Sequence, residues 1–563
     1  SSGHLRVRFS RGQTPPMLAR AASFSRCGAS RRLHRVSPQD FHRRQRCWKE
    51  ARFSSRSTNL ELEGRSCKAI FLEADSKCVE TPFAPRVFNA FGLTTFSQAE
   101  LTNAFNAIDC TGSGSLARKE LLAVFRRAQP EHVDADTREK NADLMAAALI
   151  CHLDQDGDRR VSLEEFSAGI TKLAEQRDKR LWAVAASMLV AGMSSGAVLP
   201  AMPAIVQQLG LTQAQFGYVV SAFGLSKLLA NLPAGVCVDS YGRRTAMTGG
   251  LIVAGVSMAG LGLAGSLTDL IAARFATGIG ASFLTAGAIT SVADMSTPLN
   301  RTRMLAPVMT AFSAGTVFGP AIGGMLIGAL GIGPTYYLVG GVFAVNAVAT
   351  RYLMSETMPT TIPASLSGNA RQMLVQWRPL LAAPDVRAVL LVNLAYWVTL
   401  AGCNMTLLPL MLANQFSLSP AEIGTVFALQ AAVSVAAAGP AAAAADRFGP
   451  HRLLAPALAL CALPMVWLPL APGIMEAAPP LAVMALGNTA LASAPTALVS
   501  NLVQPESRAH ALALMRTIGD VGWLLGGVSV GGVATLFGSG PAMHGTASFL
   551  VLVAGWFALR RPR

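Results

Sequence analysis

Polar and apolar positions follow two different regimes along this chain. Between Phe96 and Lys179, charge is dense and mixed, and apolar side chains recur at helical spacing. The stretches FSQAELTNAFNAI, ARKELLAVFRRA, TREKNADLMAAALICHL and LEEFSAGITKLAEQ therefore predict four short amphipathic helices. From Leu181 to Leu559 charge almost vanishes, and twelve apolar stretches are long enough to cross a bilayer at ~20 residues each. The pattern predicts spans at 181–205, 214–237, 246–265, 268–292, 304–329, 334–354, 387–412, 421–445, 452–471, 478–500, 509–536 and 540–559. The segment SAGITKLAEQRDKR reads as a helix running on towards the first span.

Composition agrees with this division, since 52% hydrophobic and 14% charged residues over 563 positions exclude an ordinary soluble multidomain protein. The formal net charge of +15 is concentrated at one end: residues 1–60 hold thirteen Arg and one Lys against Asp40 and Glu50 alone. An Arg-rich, Ser-rich, acid-poor stretch such as RRLHRVSPQDFHRRQRCWKEARFSSRS reads either as an organelle transit peptide or as a disordered basic tail. Residues 60–90 lack clear periodicity and read as linker. The nine cysteines are scattered without a C-x-x-C pair, which gives neither a disulfide framework nor a zinc site.

Loop charge sets the expected orientation. The connections after even-numbered spans carry Arg243 and Arg244, Arg301 and Arg303, Arg371 and Arg378, and Arg447 and Arg452, whereas those after odd-numbered spans lack Lys and Arg. Both termini and the loop 355–386 are therefore expected on the cytoplasmic side or its topological equivalent.

Two loops between the amphipathic helices have the spacing of a hard-cation site. In DQDGDRRVSLEE, Asp154, Asp156 and Asp158 take positions 1, 3 and 5, Arg160 offers its carbonyl at 7, Ser162 stands at 9 and Glu165 closes the loop at 12. In DCTGSGSLARKE the corresponding residues are Asp109, Thr111, Ser113, Ser115 and Glu120, with Gly114 at the turn. These loops resemble an EF-hand pair, and the resemblance implies Ca2+ as ligand. The departures are complementary: the second loop has four acidic ligands but Arg159 at the turn, and the first has the glycine but two carboxylates. Phe105, Phe125, Leu153 and Phe166 fall where the helices of such a pair build a shared core.

The spans carry their own motifs. GVCVDSYGRR after span two, with Gly235, Asp239, Gly242, Arg243 and Arg244, returns after span eight as Asp446 and Gly449 in AAAADRFGPHR. An internal repeat of this kind is expected of carriers built from paired halves. Gly235 is expected to admit a neighbouring helix, and Gly242 to turn the short loop. The motif resembles that of the major facilitator superfamily over about 181–559, where the loop is implied to latch the two halves together; Ser240 stands where a basic residue is usual. RFATGIGA, with Arg274, Gly278, Gly280 and Ala281, and GTVFGPAIGG, with Gly315, Gly319, Pro320, Gly323 and Gly324, resemble two further motifs of that family. The second is associated with proton-coupled antiporters there. Close packing and a kink explain the same small residues and proline.

Charges inside spans are costly unless they face a cavity or a partner. Lys227 lies mid-span, Arg274 lies inside span four, and Arg516 and Asp520 are four apart on one face of span eleven, as an internal salt bridge would be. Three cations against one acid favour an anionic substrate if they converge. With Arg516 one turn away, Asp520 is poorly placed to titrate. No nucleotide-binding glycine loop, metal-ligand His pair or nucleophile motif is present in the sequence, so an enzyme is not expected.

The fold expected is all-α: a twelve-helix transmembrane bundle of two six-helix halves (181–354 and 387–563) joined by a linker at 355–386. A basic leader (1–90) and a small soluble EF-hand helical domain (91–180) come before it. The function expected is secondary transport of a small solute, regulated by calcium. The alternatives are an organic-anion exchanger or uniporter without proton coupling, and a calcium-responsive receptor or scaffold with a carrier fold. The expected partners are the solute, the lipid bilayer and calcium. A monomer without a nucleic-acid partner is expected, in the plasma membrane or in a plastid or mitochondrial membrane.

Overall fold

The computed structural model describes residues 83–128, 134–175, 178–297, 299–357, 366–504 and 507–560, so the basic leader and most of the 60–90 linker lie outside the described residues. The polar part contains α1 (Phe83–Phe91), α2 (Gln98–Ile108), β1 (Ser115–Leu116), α3 (Arg118–Ala128), α4 (Ala135–Leu153), β2 (Val161–Ser162) and α5 (Leu163–Glu175). The four predicted amphipathic helices are α2 to α5. Helix α1 adds to them from within the expected linker, so the helical unit starts before residue 91. Its Phe91 ring stands 5.6 Å from both Phe125 and Phe166, and Phe105 meets Phe166 at 5.7 Å. Phe105, Phe125, Leu153 and Phe166 are all buried, as their spacing required.

Strands β1 and β2 pair antiparallel, Ser115 opposite Ser162 and Leu116 opposite Val161, and so tie two helix–loop–helix units back to back. Leu116 and Val161 are fully buried beneath that ladder. Helix α5 is described as far as Glu175, and residues 178–180 are not helical, so the helix predicted to run on into the first span is broken before Leu181.

Twelve helices long and apolar enough to cross a membrane follow. They are α6 (Leu181–Gln208), α7 (Gln213–Tyr241), α8 (Arg243–Leu263), α9 (Leu267–Met295), α10 (Arg301–Leu330) and α11 (Ile332–Leu353) in the first half. Helix α12 (Leu366–Ala382) occupies the connection expected to be a plain linker, with Trp377 and Leu380 buried. The second half comprises the span α13 (Pro384–Thr399) to α14 (Leu408–Asn414), then α15 (Pro420–Phe448), α16 (Pro450–Trp467), α17 (Ile474–Leu502), α18 (Arg508–Phe537) and α19 (Ser539–Leu559). Between α13 and α14 the backbone is π-helical over Leu400–Leu407, where Gly402 presses against Gly526 and Val530 of α18.

Exposed Leu263, Val345, Leu536 and Leu552 on the rim of the bundle would be untenable in water and match a hydrocarbon surround. The protein is an integral, multi-pass membrane protein.

The repeat is written in the backbone. Gly242 and Gly449 have φ of 90° and 83° at matching corners, and Gly331 and Gly538 have 86° and 91° at a second matching pair, with equal spacing within each half. Side chains with a Cβ rarely adopt that region, which accounts for glycine at all four corners.

Candidate functional site at the junction of the two halves

The halves touch chiefly along two helix pairs. Gly217 of α7 lies against Gly527 and Gly531 of α18; Gly324 of α10 lies against Pro420 and Ala421 of α15, and Gly424 against Pro320. Hydrogen bonds lock the first pair: Ser221 Oγ donates to the Leu524 carbonyl at 2.7 Å, Trp523 Nε1 to the Val220 carbonyl at 3.1 Å, and the Ala214 amide to Thr535 Oγ1 at 2.7 Å. All these contacts lie towards the end remote from the basic loops. At the basic-loop end the same helices part: Tyr241 is 63% exposed, Phe448 is 50% exposed, and buried residues of α15 occur only at Ile423, Gly424 and Phe427 near its start. The bundle is closed at one end and open at the other.

This explains one departure from expectation. A Cβ added at Gly235 would meet no atom within 4 Å, so Gly235 does not receive a neighbouring helix here. It lies on the stretch of α7 towards the open end. The glycines of span five behave as expected: Gly315, Gly319 and Gly323 face the backbone of α6, while Gly324 and Pro320 meet α15. Gly278 sits against Ser226 and Phe223 of α7, and Gly280 against Gly250 and Ala254 of α8.

Midway along α7, Lys227 Nζ donates to Asp520 Oδ1 of α18 at 2.7 Å, and Asn231 Nδ2 donates to Asp520 Oδ2 at 2.6 Å. Ser282 Oγ on α9 donates to Asn231 Oδ1 at 3.0 Å and thereby fixes the amide. The expected Arg516–Asp520 salt bridge is not formed among the described residues. Arg516 is exposed, and the cation that meets Asp520 comes from the other half. Four-residue spacing reports which residues share a helix face, but it does not reveal what stands opposite that face.

Arg274 stands 5.1 Å from the centre of the Phe223 ring, and Lys227 stands 5.6 Å from the same ring. Two of the three predicted cations therefore converge on one aromatic ring, and Arg516 does not. Beyond the ring lies a cavity of about 90 Å³ between the halves, lined by Ser194, Ser195, Phe223, Arg274, Thr277, Met405 and Trp523 among others. Among the described residues no carboxylate lies within 4.0 Å of Arg274, so Asp520 balances one of two cations. That volume is below the ~300 Å³ of a typical ligand pocket, so an organic solute fits only once the halves move. A larger depression of 810 Å³ runs along the outer face of α11 past Tyr337 and Val345; it has no charged lining and belongs to the bilayer-facing surface.

Arg243 of the basic loop is buried in a network of its own. Arg243 Nε meets Asp294 Oδ2 at 2.7 Å, and Arg243 Nη2 lies 3.7 Å from Asp239. Thr357 Oγ1 also donates to Asp294, and the Glu356 carboxylate accepts the backbone amides of Arg243 and Arg244. Arg244 donates to the carbonyl of Arg351. Ser240, where a basic residue is usual in the family, is buried and its hydroxyl has no hydrogen-bond partner among the described residues. In the second half Asp446 and Arg447 are exposed.

In the polar unit, Asp154, Asp156 and Asp158 bring one carboxylate oxygen each within 4.8 Å of one another. Arg159 has φ of 62°, and its amide donates to Asp154 Oδ2 at 2.9 Å. Glu165 accepts from the amides of Gln155 and Ser162, both at 2.9 Å, and these bonds hold its carboxyl below the usual range. In the first loop, burial works to raise the Asp109 carboxyl, but the amides of Gly114 and Ser113 prevail and lower it. The remaining oxygens there are largely engaged: Glu120 Oε1 accepts from Thr111 Oγ1 at 3.0 Å, and Ser113 Oγ donates to the Ser115 carbonyl at 2.7 Å.

Sequence reasoning missed Asn231, Asp294, Glu356, Phe223 and Trp523. Asn231 carried a usable signal, since it lies one turn from Lys227 on the same face. The others gain meaning only from helices distant in sequence.

Among the described residues, twelve helices long and apolar enough to cross a membrane form two repeated halves that meet at one end, with a buried polar pair midway between them, and this architecture defines a class of two-halved, twelve-helix membrane proteins. The sequence profile of the Major Facilitator Superfamily matches residues 184–410 and 394–563, and the chain belongs to that family. Multidrug resistance protein 2 of Bacillus subtilis (strain 168) is 27% identical over 186 residues, which is 33% of this chain and 46% of that protein. Multidrug resistance protein 1 of the same organism is 31% identical over 152 residues, 27% of this chain and 39% of that protein. The chain thus spans less than half the length of these relatives. The fold matches the crystal structure of a bacterial homologue of the human lysosomal transporter Spinster, in an inward-facing and occupied conformation, with a TM-score of 0.57 and 18% identity over 67% of this chain and 95% of that one.

Proposed function

We propose that this chain is a secondary carrier that moves a small organic solute by alternating access, and that an EF-hand pair on the basic-loop side binds calcium and biases the cycle. The observation that carries the first part is the junction between the halves: one end is shut by glycine-mediated contacts, the other is open, and polar groups stand between. Substrate class is argued from Arg274. A cation in this position without a carboxylate partner is costly in an apolar interior, and a solute that brings an anionic group relieves it. Phe223, Trp523 and Met405 around it offer aromatic and polarisable surface to an apolar body. The names of the two multidrug resistance relatives accord with organic, largely apolar cargo.

In vesicles containing the purified full chain, Arg274→Gln is expected to lower apparent affinity for transported organic anions about tenfold or more, equivalent to ~1.4 kcal/mol. Saturable flux with unchanged affinity in that variant would sink the anion assignment. Absence of saturable flux for any solute in the wild type would sink the carrier itself.

The calcium reading is supported by the donor set. Three aspartates and Glu165 supply the oxygen ligands a hard cation of this size takes, and a bound Ca2+ would replace some of the internal hydrogen bonds they now make. A route to the carrier is also present. Helix α5, which begins beside the second loop, ends on the connection between α9 and α10: Thr297 Oγ1 donates to the Ala174 carbonyl at 2.8 Å, and Arg303 of α10 lies 3.8 Å from Glu175. Arg180 joins the other side of the interface, donating to Ser355 Oγ at 3.0 Å and to the Glu356 carbonyl at 3.3 Å. Arg159→Gly removes a cation from beside the loop's carboxylates and is expected to raise calcium affinity about fivefold, whereas relief of the left-handed strain, which is present without the ion, stabilises the fold and not the binding. Titration with a calcium-competing dye checks this, and an unchanged or weaker affinity would contradict it.

A further inference from the structure

We infer that helix α12 is a docking surface for anionic phospholipid: it lies along the bilayer surface on the basic-loop side, where Arg371 and Arg378 take the headgroup phosphates. Such a surface is separate from the carrier and calcium readings and depends on neither.

Helix α12 has two unlike faces. At about 3.6 residues per turn, positions 371, 374, 375, 378 and 381 share about one third of its circumference, with the two arginines flanked by Leu374 and Leu381 on one side and by Val375 on the other. All five side chains are exposed, Leu374 at 62% and Val375 at 65%. On the opposite face Trp377 and Leu380 are buried in the core of the second half, and Met373 packs against the same core. That inner face holds the helix to the bundle: α12 lies against α13 and α18 and also touches α7, at the end where α7 and α18 part.

The backbone places the outer face at the membrane boundary. A single residue, Ala383, separates α12 from the span that begins at Pro384, so the C-terminal end of α12 is fixed where the hydrocarbon begins. Ala383 is extended, with φ of -71° and ψ of 120°, which turns α12 away from the axis of that span. Water suits the arginines but not a strip of Leu374, Val375 and Leu381, and hydrocarbon suits the strip but not the arginines. Only the boundary satisfies both: the apolar side chains enter the acyl region, and the long arginine stems carry their guanidinium groups out to the phosphates.

Charge selects the headgroup. Leu366–Ala382 contains two arginines and no acidic residue. Among the described residues no carboxylate lies within 4.0 Å of either arginine. Asp385, the next acid along the chain, belongs to the first turn of α13. A guanidinium pairs with phosphate through two parallel N–H donors. Two of them on one strip without a balancing acid favour a surface of net negative charge over a zwitterionic one.

The experiment uses the full chain in vesicles, with a chelator throughout so that calcium does not bridge headgroups. A cysteine placed at Val375 is labelled from outside with a membrane-impermeant, environment-sensitive fluorophore, and the chain without it corrects for the native thiols. Vesicles of phosphatidylcholine alone are compared with vesicles that also contain phosphatidylglycerol, and the readout is quenching by neutral acrylamide. Quenching is expected to fall about fivefold with phosphatidylglycerol present and to recover at high salt. Arg371→Gln combined with Arg378→Gln is expected to abolish the difference between the two lipids, and since both side chains are exposed the fold is not at stake. The corresponding pair of Lys substitutions keeps the charge and is expected to retain most of the response. Equal quenching in the two lipids, or an unchanged response in the Gln variant, overturns the site. Glycerol phosphate that protects the label in phosphatidylcholine vesicles as well as phosphatidylglycerol does would assign the arginines to a soluble phosphate and overturn the membrane surface.

Discussion

Glu165→Ala is expected to weaken calcium binding to the second loop about a hundredfold and to abolish any effect of calcium on flux, because the closing carboxylate supplies a bidentate ligand and its loss leaves an incomplete shell. Two measurements separate the links. Dye competition reads binding at the loop, and uptake with calcium or with chelator reads its consequence at the carrier. Calcium bound by wild type without any change in flux would remove regulation while leaving the site. Equal calcium affinity in variant and wild type would remove the site. The same residue contributes to the pH profile. Amides of Gln155 and Ser162 hold the Glu165 carboxyl low, so its contribution is present above the ordinary carboxylate range and is lost only as pH falls through the lowered value. Calcium affinity is therefore expected to stay level from neutral pH down to that range and to drop below it.

The membrane bundle was legible in the sequence because its signal is local. A run of some twenty apolar residues names a span whatever stands beside it, and a positive-φ corner demands glycine, so Gly242 and Gly449 marked the repeat. The four amphipathic helices followed from helical spacing, and the core of Phe105, Phe125, Leu153 and Phe166 from the resemblance of the two loops to an EF-hand pair. Helix α1 escaped because FAPRVFNAF is nine residues long with an early proline, too short for periodicity to register. Helix α12 escaped because its burial rests on Trp377 and Leu380, while Leu374, Val375 and Leu381 are exposed and blur the periodicity of the buried face.

The site was only half legible for a related reason. Periodicity identified Lys227, Arg274 and Asp520 as charges needing partners, yet it offered Arg516 as the nearest candidate. The partner chosen by the fold lies 293 residues away in the other half. What decides the pairing is the crossing of α7 and α18, which is set by small residues whose individual sequence signal is weak.

Gly217→Val is expected to abolish net transport while leaving the protein folded and inserted. A Cβ at Gly217 would fall on the carbonyl oxygen of Gly527, and the extra methyl groups would hold α7 away from α18 along the contact that shuts this end. Helix association in a bilayer depends on such close backbone approach, because lipid supplies no hydrophobic drive between helices. The same displacement would break the bonds from Ser221 to Leu524 and from Trp523 to Val220. A carrier unable to close one end cannot present its site to the opposite side, so flux is expected to fall more than a hundredfold. Access of a bulky thiol reagent to a cysteine placed at Ser221 is expected to rise, since that side stays open. Gly235→Val, on the same helix but facing no neighbour in this state, is the informative control: it should leave closure of this end intact. Normal flux in Gly217→Val would show that the α7–α18 contact does not gate the carrier. Equal thiol access in the two variants would show that the glycine crossing does not set which end is shut.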